Sequence, residues 1–204
     1  MAIAASGLLL VLFSVVHLAG LGLAWWDPPG FERYAAALHQ ATWLPLAELA
    51  LLLLLLLHPA RALARTVANR AARGGGPPPR SRRGEGLQSL PALAGRLMPW
   101  SGGLLLLFLL VHLLQLRLRR PAAGAELVAL RAVLEQPPWL ALYAAAGVAL
   151  AFHLVHGQES AFRSLGLLQP RQAFAIRWAG RGLAVIIGTG FTLLPFVLLG
   201  GMGA

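Results

Sequence analysis

Five stretches of this chain are apolar over lengths that match the hydrocarbon core of a bilayer, and little sequence is left between them. Helices are expected over about 4–26, 41–68, 97–118, 138–162 and 174–200, each reaching the roughly 20 residues needed to cross a membrane. No water reaches the backbone inside a bilayer, so an apolar run of this length satisfies its N–H and C=O groups as a helix. The chain is 58% hydrophobic and only 12% charged, against about 25% charged in ordinary soluble domains. Its first run has no basic leader and continues into Trp25-Trp26, which marks an interfacial anchor rather than a cleaved signal. The expected fold class is therefore all-α: an integral membrane protein with five transmembrane helices, in a single domain over residues 1–204.

Charge sets the expected orientation. The net charge of +10 comes from arginine alone, because the sequence contains no lysine. Eight of the 17 basic residues lie between the second and third spans, and Arg163, Arg171, Arg177 and Arg181 lie between the fourth and fifth. Arg33, Arg117, Arg119, Arg120 and Arg131 fall on the opposite side. The positive-inside bias then places the N-terminus inside and the C-terminus outside. Such a distribution reads as topology and contact with anionic lipid rather than with nucleic acid, and it leaves an Arg-rich inner face for a soluble partner. "GGGPPPRSRRGEG" makes 74–90 a flexible inner linker. On the outer side, 27–40 opens with a Pro turn before a short helix. Residues 119–139 carry Leu127, Leu130 and Leu134 at the spacing of an interfacial helix.

The absence of cysteine removes thiolate-bound metals, iron–sulfur ligation and disulfides, so redox work needs a cofactor held by nitrogen or oxygen. Ionisable groups within spans are costly and usually face the protein interior. Here the first four spans carry His17, His58, His112, and His153 with His156, while the fifth carries none; His39 stands outside the spans. His17 and His112 each sit about 13 residues into a span that starts inside, or roughly 20 Å at a rise of about 1.5 Å per residue. His58 and His153 sit about 15–17 residues into spans that start outside, which gives a second level nearer the inner surface. Pairs of imidazoles at one height, donated by different helices, suit axial coordination of haem iron from both faces. With no open position on the metal, such a site favours electron transfer over oxygen chemistry. Zinc would need further converging ligands.

Between the two histidines of span four, His153 is the better ligand. Ala146, Ala149 and Gly157 on its face leave room for a flat macrocycle, whereas His156 shares a lane with Phe152 and Arg163. His156 and Arg163 are candidates for contact with propionates or with the ligands. Arg61 and Arg65, one and two turns beyond His58, are also placed to meet propionates, and a solvated loop position suits them equally well.

With these residues in view, "LFSVVHLAG", "FERYAAAL", "LAELALLLLLLLHPARALARTVANRAAR", "RLMPWSGGLLLLFLLVHLLQLR" and "ALYAAAGVALAFHLVHGQESAFRSLGL" resemble a known family. It is the five-helix dihaem cytochrome b membrane-anchor subunit of succinate dehydrogenase and fumarate reductase. The most specific piece is His153 followed by Gly157 and Gly166. The resemblance implies an inner b-type haem on His58 and His153 and an outer one on His17 and His112, in a four-helix core. It also implies an enzyme complex of the tricarboxylic acid cycle, in which a partner flavoprotein performs the dicarboxylate chemistry. An iron–sulfur subunit on the inner face passes electrons to this chain, which delivers them to a membrane quinone, menaquinone in preference to ubiquinone. A bacterial-type cytoplasmic membrane, and a higher oligomer of the whole complex, are among the expected settings. Quinone and proton candidates near the outer haem are Glu48, His39, Glu32, Trp25 and Trp26. Two departures stand out: Pro59 follows His58 directly and should bend that helix, and Ala151 stands where some fumarate reductases carry a carboxylate. A cytochrome b anchor of formate dehydrogenase or hydrogenase type, and a haem-free anchor or transporter subunit, are the alternatives.

Overall fold

The computed structural model describes residues 1–74 and 90–200, and the linker expected at 74–90 lies almost wholly outside them. Among the described residues helices are the only regular elements, and no strand forms. Five helices are long and apolar enough to cross a membrane: α1 (Ala2–Trp26), α3 (Leu44–Ala72), α4 (Leu90–His112), α6 (Pro137–Ser164) and α7 (Ala173–Gly200). Two shorter helices, α2 (Pro28–Gln40) and α5 (Glu126–Leu134), lie at one end of the bundle. Proline marks the helix starts at Pro28, Pro45 and Pro137, where a missing N–H costs nothing. Pro59 lies within α3 without ending it.

α1, α3, α4 and α6 form a four-helix core. α1 packs on α3 and α6, α4 packs on α6, and α3 touches α4 only lightly; the diagonal partners α1/α4 and α3/α6 share no extended backbone packing. α7 lies along α6 and reaches α1. The α6–α7 contact depends on small residues at four-residue spacing on both helices, Gly147 with Ala151 and Gly188 with Thr192. A Cβ at Gly147 would stand 2.6 Å from the Thr192 nitrogen, and one at Gly188 would stand 2.9 Å from the Ala151 Cα. Close backbone approach of this kind is the usual source of helix association in a membrane, where lipid is as apolar as leucine. By contrast α3 has no buried residue, and its leucines 46, 49, 52, 53, 56 and 57 all face outward, as suits a lipid-facing helix.

The α2/α5 end is closed by an apolar cluster of Ala24, Phe31, Leu127, Leu130, Leu134, Tyr143 and Leu198. The three leucines picked out by spacing are thus the ones α5 buries. Polar groups fasten the same end. α5 has no side-chain cap of its own; instead the Glu32 carboxylate of α2 accepts the Leu127 and Glu126 N–H groups at 2.9 and 3.3 Å. His39 Nδ1 stands 3.4 Å from the Glu126 carboxylate. Burial, and then the hydrogen bond shared with Glu126, push the Glu32 carboxyl above its ordinary range. Glu126 is also raised by burial, but its hydrogen bonds with Glu32 and backbone N–H groups outweigh that and hold it below. A raised carboxyl supports folding below its ordinary pKa and loses that support as pH climbs through the raised value; a depressed one loses support as pH falls through its own. The α2–α5 clasp is therefore expected to be tightest between these limits. Glu32→Gln should abolish its loosening on the alkaline side, as measured by amide exchange of α5 over a pH series. An alkaline limb that survives in this variant would contradict the assignment.

Candidate haem-ligand site

Each histidine pair spans one diagonal of the four-helix core. His17 of α1 faces His112 of α4 with ring centroids 6.1 Å apart, and His58 of α3 faces His153 of α6 at 6.3 Å. Helix axes in a bundle stand about 10 Å from their neighbours, so diagonal axes are about 14 Å apart and two side chains can meet midway. A metal–nitrogen bond of about 2.0 Å on each side, with about 1.1 Å from nitrogen to ring centre, would separate two axial imidazole centroids by about 6.2 Å. Both observed spacings match that requirement. Among the described residues no three His, Asp or Glu side chains converge to hold an ion. Two imidazoles alone are an incomplete donor set for a bare metal but a complete axial set for a macrocycle that brings its own four nitrogens.

Residues of neighbouring helices hold these rings in place. Ser6 Oγ lies 3.1 Å from His58 Nδ1, Ser101 Oγ 3.2 Å from His153 Nδ1, and Tyr143 Oη 3.1 Å from His112 Nδ1. His17 is set by packing between Phe13 and Phe191, at 5.3 and 6.1 Å. A Cβ at Gly7 would come within 3.1 Å of His58, and one at Gly102 within 3.6 Å of His153, while a Cβ at Gly157 would meet nothing within 4 Å. Ala146 and Ala149 of the His153 lane are buried. The His156 ring lies against Gly95 of α4, where an added Cβ would come within 2.9 Å.

The remaining candidates separate. Arg61 and Arg65 are exposed, and Arg163 pairs with Glu159 at 2.8 Å, so these arginines line the end opposite α2 and α5. Arg177 joins the same carboxylate at 3.3 Å. Glu48 is not an orphan. Arg117 donates to both its oxygens, Nε at 2.8 Å and Nη2 at 2.6 Å. That pairing depends on a five-residue π turn, Leu113–Arg117, immediately after His112. Such turns are rare and often occur at functional positions; apolar periodicity gives no sign of this one. The turn also carries Gln115, whose Oε1 accepts the Tyr143 hydroxyl at 3.2 Å. Trp25 and Trp26 are both exposed, at 61% and 70%. Glu32 and His39 are engaged with α5, as described above. Glu48→Gln is expected to lower the melting point by an amount worth about 1 kcal/mol, because both partners are part-exposed. A Glu48→Gln/Arg117→Gln double variant should recover part of the loss, since no unpaired charge remains. Additive losses in a double-mutant cycle would show that the pair contributes nothing.

Comparison of the chain with models of known protein families, with characterised proteins and with solved structures finds no match.

Proposed function

We propose that this chain is a dihaem cytochrome b membrane anchor of a succinate:quinone oxidoreductase. The observation that supports it most is the pair of imidazole couples, each on a diagonal of the bundle, each at the separation that axial ligation of one iron demands. Haem between two imidazoles exchanges single electrons between ferric and ferrous iron without opening a coordination position. The chain's own residues do the rest. His17 with His112 and His58 with His153 would grip the irons. Phe13, Phe108 and Phe191 pack against rings of the first pair and exclude water from it.

In this reading the Arg-rich end faces the cytoplasm and docks the iron–sulfur and flavoprotein subunits, and the α2/α5 end faces outward. The quinone meets the chain near that outer end. There Glu48 and Arg117 form a polar pair at the edge of the membrane, the kind of group that fixes a quinone carbonyl at the mouth of an apolar slot. The decisive experiment is a haem assay on the purified chain with a dithionite-reduced spectrum. Two b-type haems per chain are expected. A colourless chain would overturn the reading and favour a haem-free anchor.

A further inference from the structure

We propose that Ser6, Ser101 and Tyr143 are positioning residues: each hydroxyl accepts the Nδ1–H of one histidine and so leaves the Nε2 of that ring bare for iron. This rests on the cytochrome reading above and adds to it the means by which the tautomer is chosen.

A hydroxyl has one proton to give and two lone pairs. The Ser6 proton has the Ala2 carbonyl at 2.8 Å and the Ile3 carbonyl at 3.2 Å, both acceptors only. Serine in an apolar helix commonly turns its proton back onto the preceding turn in this way. Toward His58, at 3.1 Å, the hydroxyl then presents a lone pair, and the ring, which also bonds the Ile3 backbone, supplies the hydrogen. Ser101 repeats the arrangement with the Met98 carbonyl at 3.2 Å and His153 at 3.2 Å, in a site only 6% exposed. Tyr143 uses a side chain for the same purpose: its proton goes to Gln115 Oε1 at 3.2 Å, and its oxygen faces His112 Nδ1 at 3.1 Å. The three histidines sit on α3, α6 and α4, and their hydroxyls come from α1, α4 and α6. Each ring is therefore oriented by a helix other than its own.

A neutral imidazole carries one N–H, and the hydrogen bond made by one nitrogen decides the state of the other. An Nδ1–H held by an acceptor also makes Nε2 a stronger donor, which favours ferric over ferrous iron. The His58–His153 couple has a hydroxyl on both rings, and the His17–His112 couple has one.

The test is a spectroscopically monitored redox titration of the purified, haem-loaded chain and its Ser6→Ala, Ser101→Ala and Tyr143→Phe variants. Alanine keeps the helices intact, as the best helix former. Ser6→Ala and Ser101→Ala are each expected to shift the midpoint of the same haem upward and leave the other unmoved. Tyr143→Phe is expected to shift the other haem upward. Where a serine variant loses haem, loss confined to the His58–His153 site supports the proposal, and equal loss from both sites assigns the serine to packing and overturns it. Full occupancy with wild-type midpoints in both serine variants overturns it as well. A wild-type chain without haem fails earlier, at the cytochrome reading itself, and takes this proposal with it.

Discussion

Replacing His153 with alanine is expected to cut the haem content from two per chain to one. On the proposed cytochrome reading, the haem lost would be the one shared with His58, whose ring stands across the bundle at 6.3 Å. The variant leaves a single axial imidazole and strips Ser101 of its partner, 3.2 Å away. Affinity at that site should fall by on the order of 100-fold or more, since loss of an outer hydrogen bond to a ligand alone costs 10–100-fold. His156, three residues on, is not expected to substitute, because its ring lies against Gly95 on α4. His58→Ala should give the same product. His17→Ala and His112→Ala should give the complementary one, with the reduced band of the other haem retained. Pyridine haemochrome per chain measures the stoichiometry. A His153→Ala chain that keeps both haems would remove this ring from the ligand set.

The second large effect is expected far from any histidine. Gly188→Leu should separate α7 from α6, because even a Cβ there would stand 2.9 Å from the Ala151 Cα and in collision with its side chain. Backbone cannot yield as a flexible side-chain end can, so the overpacking should cost about 3 kcal/mol, the upper part of the usual range. The same surface carries Gly147, and α6 also carries His153 and Tyr143, so haem retention should fall together with thermal stability. Gly182→Leu on the same helix is the matched control, since a Cβ there meets nothing within 4 Å. The checking measurement is thermal unfolding in detergent, followed by helix signal and by haem release. If the two leucine variants melt together, α6–α7 packing is not what holds the fifth helix in place.

Much of the frame could be read without coordinates, because bilayer spans obey a one-dimensional rule. Backbone polarity forces helix, hydrocarbon thickness sets its length, and rise per residue turns position into height. Counting residues from the helix ends was therefore enough to match His17 with His112 and His58 with His153 in level. The spacing of Leu127, Leu130 and Leu134 likewise defined a helix face that α5 buries. Helix ends were less legible. α4 begins at Leu90, earlier than the 97 expected, because proline and glycine in "LPALAGRLMPW" obscure a helix that continues through them.

What sequence alone determined is the set of helices, the histidine on each of the four core helices and the height of each ring. What the tertiary structure alone decided is lateral: that the histidine pairs lie on diagonals, that hydroxyls from neighbouring helices meet their Nδ1 atoms, and that Glu48 has Arg117 for a partner. The physical reason is that height follows from a helix's own repeat, whereas azimuth and neighbour follow from packing between helices. A π turn of five residues redirects every side chain within it and leaves no trace in hydrophobic periodicity. Close contacts such as Gly188 on Ala151 are likewise set by which faces meet, and glycine is too common in membrane helices for its position alone to reveal them.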